Sequence, residues 1–381
     1  MRCVALLLVL LILCGCSIAP EATTQSQPST TAPTVPVIAT TETTAPPDPI
    51  MQLLDSLSTE QKVGQLFLAR CPDVDAIEDI QEYHLGGYIL FGKDFDDQTP
   101  ESIADTIATY QSLASLPMLI AVDEEGGSVC RVSSHSQFRS KRFSSIRKLY
   151  NAGGIEKILE EENEKCQLLA SIGINVNMAP VCDITTDPDA FMYQRSLGQS
   201  PAITAQCIEQ ITQLMATNKI GSVLKHFPGY GNNKDTHIAS ATDDRSISQL
   251  EAEDLLPFVA GINAGCDAIL VSHTTITALD SENPASLSPA VISYLRDNLQ
   301  FNGVIITDDL AMSAITKHYA VDEAAVMAVH AGIDMLCASD YQLQYKAVLN
   351  AVQSKRISEE QLNAAVYRIL QWKVNLGLIE I

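Results

Sequence analysis

Eight short apolar runs, separated by amphipathic stretches, limit the folds open to this chain more than any other feature. The runs are β-branched or aliphatic throughout, which is typical of parallel strands buried on both faces. They span 63–69, 86–92, 117–123, 175–183, 221–227, 267–273, 303–309 and 334–339. Eight β/α alternations favour a closed barrel over an open sheet. The sequence therefore predicts an α/β protein with a single (β/α)8 TIM barrel over residues 51–381.

The stretches between these runs have helical periodicity and recognisable ends. They include 100–115, 155–172, 202–218, 249–264, 289–299, 321–331, 341–353 and 358–373. A capping residue followed by proline predicts three helix starts, at Thr99-Pro100, Ser200-Pro201 and Ser288-Pro289. Glycine predicts three helix ends, at Gly173, Gly265 and Gly332. No Gly-x-Gly-x-x-Gly or Walker-type loop follows any run, which removes the usual reasons for an open nucleotide-binding sheet.

The amino-terminal segment has the pattern of an export signal. Residues 2–16 place an arginine before an apolar run of about ten residues, which is too short to span a membrane. The run ends in Leu13-Cys14-Gly15-Cys16, similar to a bacterial lipobox, so Cys16 is predicted to carry a lipid. A plain secretory signal is the alternative. Residues 17–50 are rich in serine, threonine and proline, which predicts a disordered linker. We expect an extracytoplasmic protein anchored to the cell membrane.

Charge and cysteine usage exclude several classes of partner and site. The chain carries 46 acidic and 24 basic residues, for a formal net charge of −22. Such a surface disfavours binding to nucleic acid or to anionic lipid headgroups. The seven cysteines beyond Cys16 are widely spaced without any Cys-x-x-Cys pair, so neither a disulfide framework nor a zinc site is predicted, although one disulfide stays open. The seven histidines form no His-x-His or His-Glu-x-x-His pair, which argues against a metallohydrolase.

Polar residues end five of the apolar runs, and this places the candidate active site. They are Asp123, Asp183, Lys225-His226, Ser272-His273 and Thr307-Asp308-Asp309. Active sites of such barrels lie at the carboxyl ends of the strands. A single carboxylate there often caps the next helix, but five polar groups on one rim indicate a functional site.

Several ordered motifs carry a family resemblance. They are DEEGG (123–127), NVNMAPVCD (175–183), YQRSLG (193–198), KHFPG (225–229), Asp235-Thr236-His237, Ser272-His273 and TDDLAM (307–312). Together they resemble glycoside hydrolase family 3, in its single-barrel β-N-acetylhexosaminidase branch with a bacterial lipoprotein form. The resemblance extends over essentially all of residues 51–381.

The resemblance implies a role for each matching residue. Asp308 would be the nucleophile, His237 the general acid/base, and Asp235 the residue that orients His237. The implied substrate-binding residues are Asp123, Arg131, Arg195, Lys225, His226, His273 and Met312. No cofactor and no metal is implied, and the partner is a carbohydrate. The chemistry is consistent, because retaining cleavage needs an ionised carboxylate and a proton donor, and histidine titrates near working pH.

Two segments depart from the family pattern. Tyr230 stands where the family more commonly has histidine, and the segment from Gly229 to His237 is one residue shorter. This leaves the pH optimum open. Ser128 stands where the family often has arginine, so the sugar-binding role in this segment is assigned to Arg131 alone.

The predicted activity is that of a retaining exo-β-N-acetylhexosaminidase. It would release terminal N-acetylglucosamine from cell-wall fragments or chitooligosaccharides through a covalent glycosyl-enzyme intermediate. Three alternatives stay open: a β-glucosidase or other family 3 β-glycosidase, a sugar phosphorylase, and a lipoprotein that binds cell-wall sugars without cleaving them. The natural glycan, the oligomeric state and the membrane face are also open.

Overall fold

A closed ring of eight parallel strands forms the centre of the protein. The computed structural model describes residues 48–231 and 240–381. The strands are β1 (Phe67–Arg70), β2 (Gly87–Leu90), β3 (Leu119–Val122), β4 (Val176–Asn177), β5 (Gly221–Phe227), β6 (Ala268–Val271), β7 (Val304–Thr307) and β8 (Leu336–Ala338). Seven of the eight lie within the predicted runs, β1 extends one residue beyond its run at Arg70, and the predicted (β/α)8 barrel is confirmed.

Neighbouring strands pair in sequence order, and β8 returns to pair with β1. Between β7 and β8 the ladder is reduced to a parallel bridge from Ile306 to Met335. There the Thr307 hydroxyl accepts a hydrogen bond of 3.1 Å from the backbone N–H of Cys337. This side-chain contact supports the closing edge of the barrel, directly before Asp308 in the chain.

The helices surround the barrel. They are α1 (Pro49–Ser56), α2 (Thr59–Gln65), α3 (Ala76–Tyr83), α4 (Pro100–Leu113), α5 (Ile146–Ser171), α6 (Pro201–Thr217), α7 (Ile247–Ala252), α8 (Leu255–Asn263), α9 (Pro289–Ser293), α10 (Ser313–Thr316), α11 (Val321–Ala331), α12 (Tyr341–Gln353) and α13 (Glu359–Asn375). A π-helical turn, Tyr294–Asn298, continues α9. The helices α1, α2, α3 and α10 were not among the predicted stretches, and residues 63–65 belong to α2 instead of the first strand.

Two predicted helix boundaries illustrate what controls helix continuity. The helix predicted over 249–264 is interrupted at Glu253, which has φ −130° and ψ −82°. Pro257 lacks the N–H that would bond to the carbonyl of Glu253, so one continuous helix is disfavoured. The helix predicted from residue 155 begins where expected, because Gly153 and Gly154 have non-helical backbone angles within α5.

The predicted helix ends are confirmed by their caps. The Thr99, Ser200 and Ser288 side chains each accept a hydrogen bond from the third residue of the following helix. Gly332 follows α11 in the left-handed conformation, with φ 105°. A residue with a β-carbon is strained at such a position, which explains glycine there.

The folded part begins slightly earlier than predicted. Asp48 caps α1 by accepting a 2.9 Å hydrogen bond from Ile50 N–H, and it also accepts a bond from the Tyr367 hydroxyl. Ile50 and Leu54 are buried, so the predicted linker to residue 50 is too long by about three residues. Cys16 and the rest of the amino-terminal segment lie outside the described residues. In the described ranges, no helix has the length and apolar character needed to span a membrane.

Candidate active site

A cleft of about 710 Å³ opens at the carboxyl ends of the barrel strands. Seven of the predicted site residues line it: Asp123, Arg131, Arg195, Lys225, His226, Asp308 and Met312. They come from β5 itself and from the loops that follow β3, β4 and β7. The barrel therefore brings together residues separated by nearly two hundred positions, as the rim of polar strand ends predicts.

A buried network of opposite charges forms one wall of the cleft. Lys225 Nζ lies 2.7 Å from Asp123 Oδ1 and 2.6 Å from Glu125 Oε1. Arg195 binds Glu125 with two donors, at 2.9 Å from Nε to Oε2 and 2.6 Å from Nη2 to Oε1. The Lys225 side chain is only 3% exposed, so these carboxylates are needed to balance its charge.

The network fixes the protonation of its members. Burial alone would raise the pKa of Glu125, but the positive charges of Lys225 and Arg195 outweigh burial and hold that pKa well below the ordinary range. Burial alone would lower the pKa of Lys225, but Asp123 and Glu125 outweigh it, and the net shift is upward. Both groups therefore stay charged at neutral pH and can bind sugar hydroxyls without exchanging protons.

His226 connects this network to a second carboxylate. Its Nδ1 lies 2.7 Å from Asp183 Oδ2, and its Nε2 lies 3.1 Å from Arg195 Nη2. A guanidinium can only donate, so the contact with Arg195 assigns the acceptor role to Nε2 and the proton to Nδ1. Asp183 also accepts hydrogen bonds from the backbone N–H groups of His226 and Tyr230. Asp183 thus sets the orientation of the imidazole.

The two aspartates that follow β7 have different surroundings. Asp309 accepts hydrogen bonds of 2.5 Å from the Ser339 hydroxyl and 2.9 Å from Ala311 N–H, which tie its carboxylate to the surrounding loops. Asp308 lines the cleft, and its Oδ1 accepts a 2.9 Å hydrogen bond from Asp309 N–H. Both aspartates line the cleft, and Asp309 is in addition tied to the neighbouring loops by its side chain.

His273 is placed differently from the prediction that it lines the cleft. Its side chain is buried beneath the Asp308–Asp309 loop, with Nδ1 2.7 Å from the Ser286 hydroxyl and Nε2 3.0 Å from the carbonyl oxygen of Asp309. The ring therefore supports the loop that presents Asp308. Met312 is on the cleft wall as predicted.

Arg131 is held at the cleft by a turn built on Glu124. The fully buried Glu124 carboxylate accepts backbone hydrogen bonds of 2.8 Å from Arg131 and 2.7 Å from Val132. The Arg131 guanidinium lies over the Phe91 ring, 5.4 Å from its centroid, and 3.7 Å from Asp123 Oδ2. Within the described ranges its Nε has no hydrogen-bond partner. This planar donor set suits vicinal sugar hydroxyls.

Asp235 and His237 lie outside the described residues, and their predicted roles stay predictions. Tyr230 lies shortly before these residues in the chain. It is buried, and its ring is edge-on to the ring of His226, with 5.2 Å between the centroids.

In the ranges that the structure describes, no group of three or more histidine, cysteine or acidic residues could hold a metal ion. The seven cysteines beyond residue 47 are buried free thiols.

Comparison with known proteins defines the family. A family model described as "Glycosyl hydrolase family 3 N terminal domain" matches residues 58–372. The chain belongs to glycosyl hydrolase family 3. The family predicted from the motifs is therefore confirmed, and the protein is a glycoside hydrolase.

The relatives of this family 3 hydrolase include named β-hexosaminidases and solved structures. It is 32% identical over 296 residues to a β-hexosaminidase of Xanthomonas campestris pv. campestris, covering 75% of this chain and 85% of the relative. It is 31% identical over 330 residues to β-hexosaminidase A of Pseudoalteromonas piscicida, covering 78% of this chain and 54% of that protein. The structure of a family 3 β-N-acetylglucosaminidase from Paenibacillus sp. superposes with a TM-score of 0.79 at 34% identity, covering 85% of this chain and 63% of that one.

The cleft of this family 3 hydrolase also contains residues that the sequence analysis did not assign. Glu125 bridges Lys225 and Arg195, yet within the DEEGG motif only Asp123 was given a role. Its position two residues after a strand-end aspartate was a usable signal. Phe91 and Phe191 form aromatic parts of the cleft wall, and no pattern distinguished them from core residues.

Proposed function

We propose that this family 3 hydrolase is a retaining exo-β-N-acetylhexosaminidase. The observation that carries the proposal is the placement of Asp308 in the cleft, beside a charged wall in which Lys225, Glu125 and Arg195 are fixed. The relatives named β-hexosaminidase and the Paenibacillus β-N-acetylglucosaminidase support an N-acetylhexosamine as the sugar.

The proposed reaction has two displacements. Asp308 attacks the anomeric carbon and forms a glycosyl ester, while the leaving-group oxygen takes a proton from His237, oriented by Asp235. His237 then takes a proton from water, the resulting hydroxide attacks the anomeric carbon, and Asp308 is released as a carboxylate. The configuration is retained because two inversions occur. Lys225, His226, Asp123, Arg131 and Arg195 would bind the hydroxyls of the sugar that is cleaved.

The proposed substrates are cell-wall fragments or chitooligosaccharides with a terminal N-acetylglucosamine. We also propose that Cys16 carries a lipid, so that the barrel acts outside the cytoplasm at the membrane surface. Expression of the full chain with radiolabelled palmitate tests this, because Cys16→Ala would lose the label. If the wild-type chain takes up no label, the amino-terminal segment is a plain secretory signal instead.

The activity is tested with 4-nitrophenyl N-acetyl-β-glucosaminide. The wild-type enzyme should hydrolyse it, and Asp308→Ala should lose at least about 10³-fold in kcat. Azide should restore turnover of Asp308→Ala and give an α-glycosyl azide, because the small anion enters the space of the carboxylate and inverts the anomeric carbon once. A matched control is Asp105→Ala on the exposed side of α4, which should keep wild-type rates.

Other outcomes select the alternatives. Faster cleavage of the aryl β-glucoside would reassign the sugar while Asp308 keeps its role. Release of a sugar 1-phosphate only when phosphate is added would indicate a phosphorylase. Measurable sugar binding without turnover of any aryl glycoside would indicate a sugar-binding lipoprotein.

A further inference from the structure

The chain that leads into and out of the segment with Asp235 and His237 rests on one cluster of charges. We call Asp243, Arg245 and Asp254 the stem cluster. Arg245 Nη2 lies 2.7 Å from Asp243 Oδ2, and Arg245 Nη1 lies 2.5 Å from Asp254 Oδ2. The two carboxylate side chains are 3% and 2% exposed. A buried arrangement of this kind has one well-defined geometry, because breaking either pair leaves an uncompensated charge.

The entering chain contacts the stem cluster at two glycines. Gly229 and Gly231 have φ of 120° and 53°. A β-carbon on Gly229 would lie 2.6 Å from Asp254 Oδ1, and one on Gly231 would lie 2.7 Å from Arg245 Nη2. The backbone therefore touches both partners of the ion pair, and no side chain larger than hydrogen fits without displacing them.

The leaving chain contains a member of the stem cluster. The strand Ala241–Asp243 begins directly after Ser240 and pairs in parallel with Thr274–Ile276. The carbonyl oxygen of Asp243 accepts a 3.0 Å hydrogen bond from Thr277 N–H, which fixes the strand end. Arg245 thus connects both ends of the intervening segment to a single rigid support.

We propose that Arg245, through the stem cluster, is a positioning residue for the proton donor of this hydrolase. The inference rests on the proposed function, in which His237 supplies that proton. Fixing both ends of a short segment restricts where its middle can lie. A misplacement of about 1 Å at a catalytic group can cost about 100-fold in rate.

The test measures how the rate depends on the leaving group. 2,4-Dinitrophenolate departs without protonation, whereas phenolate needs a proton donor. We expect Arg245→Met to lower kcat/KM at least about tenfold for phenyl N-acetyl-β-glucosaminide and less than about threefold for the 2,4-dinitrophenyl substrate. Arg245→Lys keeps the charge without the planar fork and should lie between Arg245→Met and wild type. A purely structural role would lower both rates equally.

His237→Ala is the reference for the proposed function. It should show the same selectivity for leaving groups at greater magnitude. If His237→Ala loses equal activity on both substrates, the proposed proton donor is wrong. If His237→Ala is selective and Arg245→Met is not, the positioning role of Arg245 is wrong while the proposed function stands.

Two further variants guard against misfolding and nonspecific effects. Gly231→Ala displaces Arg245 from the other side of the contact and should reproduce the selectivity if Arg245→Met does not fold. Failure of a folded Gly231→Ala to do so would overturn the inference. Arg356→Met removes an exposed arginine that binds Glu323 with two donors and should leave both rates unchanged.

Discussion

At the scale of single residues, Glu125 balances the positive charges in one wall of the cleft. It is the shared partner of Lys225 and Arg195; the side chains of Glu125 and Lys225 are buried, and that of Arg195 is 13% exposed. Neighbouring carboxylates in the same motif have other tasks, since Glu124 holds a backbone turn and Asp123 contacts Lys225 and Arg131. The three consecutive acidic residues therefore differ in function because of what surrounds each one.

We expect Glu125→Gln to lower both activity and stability. The substitution removes one of the two negative charges that pair with Lys225 and Arg195, so one positive charge in the network is no longer balanced. We therefore expect kcat/KM to fall by about 100-fold and the free energy of unfolding to fall by about 3–5 kcal/mol. Initial rates and urea unfolding measure the two effects. Glu164→Gln, at an exposed ion pair with Arg139, should change the free energy of unfolding by less than about 1 kcal/mol. A fully active Glu125→Gln variant would contradict the role of the network.

The pKa of Glu125 also sets the pH at which its contribution to the free energy of unfolding disappears. Because the folded-state pKa lies below the unfolded one, the stabilisation is present above the ordinary pKa of a glutamate and is lost as the pH falls through the folded value. The difference in unfolding free energy between wild type and Glu125→Gln should therefore be constant at neutral pH and shrink only in acid.

At the scale of secondary structure, α13 packs on α2 through a buried cation. Lys373 is fully buried and its Nζ donates a 2.6 Å hydrogen bond to Gln65 Oε1. Burial lowers the pKa of Lys373 to about 7, from 10.5 for an exposed lysine. The helix pair thus carries an electrostatic penalty that an apolar residue would remove.

We expect Lys373→Met to stabilise the protein in a pH-dependent way. The folded-state pKa is lowered, so the penalty is full below pH 7 and disappears as the pH rises toward 10.5. After loss of the hydrogen bond to Gln65, the gain should be about 2–4 kcal/mol at pH 6.5 and smaller by more than about 1 kcal/mol at pH 9. Urea unfolding at the two pH values measures it. Equal gains at both values would contradict a lowered pKa.

At the scale of the whole molecule, the active site depends on closure of the barrel. The strands β7 and β8 meet next to Asp308, where backbone pairing is reduced to a bridge and the Thr307 hydroxyl supplies a further contact. Cys337 on β8, whose backbone N–H donates this hydrogen bond, also lines the cleft. The closing edge of the barrel and Asp308 are therefore close in space.

We expect Thr307→Val to destabilise the barrel and slow the reaction. The substitution keeps the shape of the side chain but leaves the buried N–H of Cys337 without its acceptor, at a cost of about 1–3 kcal/mol. Thermal unfolding and initial rates measure the effect. Thr307→Ser keeps the hydroxyl and should retain the activity of the wild type more closely. Equal behaviour of the two variants would show that the hydroxyl has no part in closure.

The sequence by itself determined the barrel, most helix ends and the family. Burial on both faces forces continuous apolar strands, and caps depend on a few neighbouring residues, so both are visible in local sequence. The motifs also identified seven of the residues that line the cleft, because the carboxyl ends of barrel strands share one rim. The short helix α1, which begins at Pro49, was missed because its eight residues are too few to show a clear helical periodicity.

Only the tertiary structure decided which ion-pair and hydrogen-bond partners those residues have. Lys225 and Asp123 are 102 positions apart, and Arg195 and Glu125 are 70 apart, so no local pattern assigns these partners. His273 turned out to support the Asp309 carbonyl, and Asp309 to anchor its loop, because hydrogen bonding in a buried rim depends on which groups from other strands lie within about 3 Å. Residue types and their order follow from the chain, whereas the charge partner of each side chain exists only once the barrel has closed.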